Sequence, residues 1–206
     1  MEPTSRKYLF FDLDGTLTDS MPGIARAVQY ALRRFGIDVQ DLATLKPFLG
    51  PPLRDSFMEF YGMSPEEADR AVAVSREYFV PRGMFENELY PGIPELLAAT
   101  AAAGRVNVIA TSKPQPFAER IAAHFGIDRH FRLISGSTFD GRRKTKADVI
   151  RHALSALGIA PGEAVMIGDR RHDVEGAAEE GLPAIAVEWG YAPPGELEAA
   201  RPLRIV

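Results

Sequence analysis

Apolar residues along the chain first follow a strand rhythm, then a helical one, and then alternate between the two. Tyr8 to Phe11 is a short apolar and aromatic run closed by Asp12 and Gly15, which predicts a fully buried strand that meets a turn. From Pro22 the spacing changes to three and four, through Ile24, Ala27, Val28, Ala31, Leu32 and Phe35, with Gly36 as the stop. Two further helices are predicted at Leu53 to Tyr61 and Pro65 to Val80. The second opens on Ser64, Pro65 and Glu67, an N-cap with a capping box and a proline in the first turn. Nothing between Met21 and Met84 reads as a strand.

Beyond Leu97 the pattern alternates. Helices are predicted at Ile93 to Ala103, Pro116 to Gly126, Lys146 to Leu157 and His172 to Glu180. Between and after them lie strands at Arg105 to Ala110, His130 to Ser135, Ala164 to Gly168 and Ala184 to Val187. Such alternation predicts βαβ units, hence an α/β fold whose parallel sheet carries helices on both faces. The all-helical stretch interrupts that series after its first strand and reads as an insertion, which gives a core of residues 1–18 and 88–206 and a helical cap domain of residues 19–87. The tail after Trp189 is weakly patterned.

Composition narrows the function classes. At 206 residues, 46% hydrophobic and 25% charged, the chain is long enough for one sizeable core with a smaller inserted one. A net charge of −4 argues against non-specific nucleic-acid binding, although Gly141 to Lys146, GRRKTK, is locally basic. The absence of cysteine removes disulfides, thiolate metal sites and a cysteine nucleophile. With no signal-peptide core and no membrane-length apolar run, the expectation is a soluble, cytoplasmic protein without a membrane partner.

In an open parallel sheet, ligands sit beyond the carboxyl ends of the strands. The first strand delivers Asp12 and Asp14 there, the second Thr111 and Ser112, and the strand at Ala164 delivers Asp169 and, a helical turn later, Asp173. Lys144 and Lys146 precede that strand's helix. Taken singly, Asp169 and Thr111 read as helix caps and Lys146 as a surface lysine; their joint arrival at one sheet edge changes the reading.

DLDGTLTDS, VIATSKP, the lysine before ADVI and MIGDRRHD stand in an order that resembles the phosphatase branch of the haloacid dehalogenase superfamily. The likeness is greatest to phosphoglycolate phosphatase-type members with a helical cap inserted after the first motif. It implies a Rossmann-like three-layer core, Mg²⁺ dependence and hydrolysis of a small phosphorylated metabolite. On that reading Asp12 attacks phosphorus to form an aspartyl phosphate, and Asp14 serves as general acid and then base. Asp12, the main-chain carbonyl of Asp14 and Asp169 are expected as metal ligands, with Asp173 bound through water or orienting them. Thr111 and the Ser112 N–H, placed at the start of the next helix, are expected to hold phosphoryl oxygens. A lysine completes the positive charge: Lys146 aligns with the resemblance, and Lys144 is the alternative. In the cap, Leu45 to Arg54 is expected as an irregular loop facing substrate, with Lys46 and Arg54 reading an anionic leaving group and Phe48 reading its apolar part or filling the cap core. A phosphomutase of the β-phosphoglucomutase kind and a non-enzymatic phosphoaspartate or partner-binding module are the competing functions, and either a monomer or a homodimer suits the composition.

Overall fold

The computed structural model describes residues 6–206, in two compact units: residues 6–18 with Leu89–Val206, and Asp19–Glu88. The first unit is built on a six-stranded sheet. Its strands are β1 (Tyr8–Phe11), β4 (Val106–Pro114), β5 (Phe131–Ser137), β6 (Ala164–Gly168), β7 (Ala184–Ala186) and β8 (Arg204–Ile205), in the order β5-β4-β1-β6-β7-β8. Every pairing between neighbours in this sheet is parallel. The order reverses at β1, with β4 on one side and β6 on the other, so the topological switch point lies beyond Phe11, where Asp12 begins. Register ties the three central strands together: Phe11 sits opposite Ile109 of β4 and Ile167 of β6.

Helices α4 (Ile93–Ala102), α5 (Gln115–His124), α6 (Lys146–Leu157) and α7 (Arg171–Glu179) connect these strands. One face of the sheet presents Phe10, Val108, Ala110 and Met166 to Ile150, Ala153 and Leu154 of α6 and Val174 and Ala177 of α7, all buried in one cluster. Alternation along the strands turns Phe11 and Ile109 the other way, toward the layer of α4 and α5 that packs on β4 and β5. This is the three-layer Rossmann-like arrangement expected from the βαβ pattern. The weakly patterned tail also holds structure, a short helix α8 (Glu196–Ala200) and the edge strand β8, which pairs with β7. Five and two residues are too few to show a hydrophobic period.

The second unit is helical, with α1 (Met21–Arg34), α2 (Leu53–Tyr61) and α3 (Pro65–Phe79). Val28, Ala31 and Leu32 of α1, Phe57 of α2 and Ala68 and Ala71 of α3 form its core. Leu45 to Arg54 is more regular than expected, because a 3-10 helix spans Leu42–Phe48 and buries Leu45 and Phe48. Phe48 is 2% exposed and its ring meets Phe57 at 5.1 Å, which makes it part of this unit's core. The chain passes between the units through β2 (Thr18–Asp19) and β3 (Glu88–Leu89), a two-stranded ribbon of its own. Among the described residues, no helix is long and apolar enough to cross a membrane.

Candidate active site

The carboxyl end of β1 is where the acidic residues gather. Asp12 leaves the strand with its amide still bonded to the Ile167 carbonyl of β6 at 2.9 Å, so its backbone is fixed by the sheet. Its Oδ1 accepts the Leu13 amide at 2.7 Å and faces the Lys146 ammonium at 3.0 Å.

Lys146 is brought there by a local device. Thr145 caps α6, accepting the Asp148 amide while the Asp148 carboxylate accepts the Thr145 amide, a capping box that makes Lys146 the first helical residue. The Lys146 side chain, 4% exposed, sends Nζ to Asp12 Oδ1 at 3.0 Å, Asp173 Oδ1 at 2.7 Å and the Ala110 carbonyl at 3.0 Å. Three partners match the three donors of an ammonium group. Burial alone would lower its pKa, but Asp12 and then Asp173 outweigh that and hold it above the ordinary lysine value. Lys144 is exposed, and its amide takes part in the same cap.

Asp169 follows β6 and is fully buried. Thr16 Oγ1 donates to its Oδ1 at 3.2 Å and the Tyr191 amide to its Oδ2 at 2.8 Å. Asp173, one turn into α7, accepts the Arg170 amide at 3.0 Å and so also caps its helix. Carboxylate oxygens of Asp12, Asp169 and Asp173 lie within 4.8 Å of one another. Burial, then Asp173 and Asp12, push the Asp169 carboxyl above the ordinary carboxylate range. Burial raises Asp173 too, opposed in part by Lys146.

Asp14 lies on the other side of Leu13. Its Oδ2 pairs with Lys113 Nζ at 3.0 Å, whereas Oδ1 is buried without a hydrogen-bond partner. Thr111, 1% exposed, accepts the Lys113 amide at 3.2 Å through Oγ1. Ser112 is placed differently from the expectation: β4 runs on to Pro114 and α5 begins at Gln115, so Ser112 is an exposed strand residue and its N–H is not at a helix start. Lys46 and Arg54 belong to the second unit, where Lys46 is exposed and Arg54 pairs with Asp69 at 2.8 Å.

Three contributors were not legible in the pattern. Lys113 was hidden because the apolar run stops at Ala110, although two-residue alternation continued past that point puts Lys113 on the side of Thr111. Thr16 gave no signal of its own. The Trp189 to Tyr191 segment acts through groups with little side-chain signature: the Tyr191 amide, Gly190, where a Cβ would fall 2.2 Å from Asp169 Cβ, and the Trp189 Nε1–H on the Thr16 carbonyl at 3.1 Å.

A parallel α/β core with an aspartate cluster at its switch point, gripped by buried lysines, defines a Rossmann-like enzyme with an acidic site at the sheet edge. The chain belongs to the haloacid dehalogenase-like hydrolases, whose family model matches residues 9–187. It is similar to a 5'-nucleotidase of Pseudomonas aeruginosa, 49% identical over 94% of this chain and 88% of that protein. It is also similar to the tyrosine-protein kinase PtkA of Mycobacterium tuberculosis, 44% identical over 91% of this chain but spanning only 64% of that protein. Among solved structures, a predicted phosphatase from Clostridium acetobutylicum superposes with a TM-score of 0.94 at 47% identity, covering 98% of this chain and 93% of that one.

Proposed function

We propose that the protein is a Mg²⁺-dependent phosphomonoester hydrolase that works through an aspartyl phosphate on Asp12. The observation that carries this reading is the position of Asp12: fixed by β6 at the switch point, its Oδ1 held by Lys146, with Asp169 and Asp173 oxygens close by.

The donor set fits a hard divalent cation. Of the four carboxylates, Asp12, Asp14 and Asp173 face two ammonium groups, Lys113 and Lys146, while Asp169 is bonded only to neutral donors, so the cluster lacks positive charge. Oxygen donors suit Mg²⁺, and Asp12, Asp169 and the main-chain carbonyl of Asp14 would hold it, with Asp173 orienting the set. When bound, the ion supplies charge neutralisation on the phosphoryl oxygens and lowers repulsion between substrate and carboxylates.

The chain's own residues do the rest. Asp12 attacks phosphorus in line, and the bond to the leaving oxygen breaks as Asp14 gives that oxygen a proton. Water then attacks the same phosphorus, Asp14 takes its proton, and Asp12 is released with inorganic phosphate. Lys146 holds Asp12 in place and adds positive charge, while Thr111 donates a hydrogen bond to a phosphoryl oxygen.

Nucleoside 5'-monophosphates are the first substrates to test, because the relative that shares 49% of residues over nearly the whole chain bears the name 5'-nucleotidase. Phosphoglycolate and sugar phosphates complete the panel. Phosphate release with Mg²⁺ should be lost in Asp12→Asn by at least ~10³-fold, since a carboxamide is a poor nucleophile. Equal release by wild type and Asp12→Asn contradicts the proposal.

A further inference from the structure

Lys113 is a buried lysine that the roles above leave without a task. Its side chain is 6% exposed, and its ammonium lies 3.0 Å from Oδ2 of Asp14, whose side chain is 19% exposed. The strand beneath it is irregular and closely packed. The pairing of β4 with β5 shifts register between Thr111 and Pro114, and Gly136 of β5 approaches so closely that a Cβ there would sit 2.7 Å from the Lys113 carbonyl oxygen. Pro114 follows and fixes its own φ, and the Lys113 amide is bonded to Thr111 Oγ1. The stem therefore rises from a closely packed irregularity whose amide is tied to Thr111, with Thr111 and Lys113 buried and Ser112 between them exposed.

The two buried lysines contact three of the four carboxylates. Lys146 faces Asp12 and Asp173, and Lys113 faces Asp14. Asp14 is held by one oxygen only, since Oδ1 is buried with no hydrogen-bond partner. A buried polar atom left unmatched in this way is costly unless a ligand completes it. We infer that Lys113 is a positioning residue: by gripping Oδ2 it fixes the Asp14 carboxyl so that Oδ1 is the oxygen that exchanges the proton with the leaving group and with water. This deepens the proposed function, because it rests on Asp14 as the acid and base.

Leaving-group dependence tests it. Phenyl phosphate and p-nitrophenyl phosphate share a ring, but the phenoxide oxygen needs protonation far more than the nitrophenoxide oxygen does. In Lys113→Met, kcat/KM for phenyl phosphate, which reports the step that expels the leaving group, should fall roughly 10- to 100-fold more than kcat/KM for p-nitrophenyl phosphate, the size of a misplaced general acid. The ratio of the two rates on one preparation does not depend on how much of it is folded. Lys113→Gln, which is nearer in polarity, is read by the same ratio if the methionine variant does not fold. Asp14→Asn, measured alongside, should shift the ratio in the same direction. If Asp14→Asn shifts it and the Lys113 variants lower both rates equally, Lys113 is only structural and the inference is overturned while the proposed function stands. If Asp14→Asn leaves the ratio unchanged, the acid and base assignment falls and the inference falls with it.

Discussion

Gly15 answers to two demands at once. Its φ of +81° lies where side chains are strained, and a Cβ added there would fall 2.2 Å from Asp169 Oδ2. Gly15→Ala is therefore expected to destabilise the protein by more than ~1 kcal/mol, read as a lower urea midpoint at unchanged slope. The charge on Asp169 sets a second expectation. Burial and its acidic neighbours push this carboxyl up to about 8, and Asp173 up to about 6, so the folded metal-free protein holds protons that the unfolded chain has released. Where the folded state binds more protons, stability falls as pH rises; the loss begins above the ordinary carboxylate range and levels off only above pH 8. Asp169→Asn lacks that proton linkage. In EDTA, its Tm relative to wild type should climb steadily from pH 5 to pH 8, and a difference that stays flat would contradict the burial argument.

At the scale of elements, the placement of the proposed catalytic groups depends on helix and strand ends. Lys146 reaches Asp12 because the capping box of Thr145 and Asp148 starts α6 at that residue. Thr145→Ala is expected to cost about 1 kcal/mol by thermal or urea unfolding, and to lower kcat by more than the folded fraction explains; Thr145→Ser should restore both. This cap could be read from the chain because its signature is local, as could the strand ends that deliver Asp12 and Asp169. Lys113 and the Trp189 to Tyr191 segment could not. Thr111 and Lys113 break the apolar run because their buried side chains are polar and face the site instead of the core, so hydrophobicity stops while the strand continues. Tyr191 contributes a backbone N–H, which any residue but proline carries, and its partner Asp169 is 22 residues away. Phe48 shows the converse: an aromatic residue beside glycine and two prolines suits a ligand or a core equally well by sequence, and the packing against Phe57 places it in the core.

For the whole molecule, the reversal of strand order at β1 decides where chemistry can happen. Segments more than 150 residues apart, Asp12 to Thr16 and Asp169 to Asp173, meet there because β1 and β6 are neighbours in register. That meeting was foreseeable from the βαβ rhythm and the rule that ligands bind beyond strand carboxyl ends, without knowledge of any distance. The central claim is that this junction makes Asp12 a phosphoryl acceptor. It is tested most directly by quenching the enzyme in acid during turnover with Mg²⁺ and substrate and mapping its peptides by mass spectrometry. The account predicts one phosphoryl group on the peptide containing Asp12, absent from Asp12→Asn. Turnover by wild type with no phosphoryl group on that peptide at any quench time, or with the group on another residue, would contradict it.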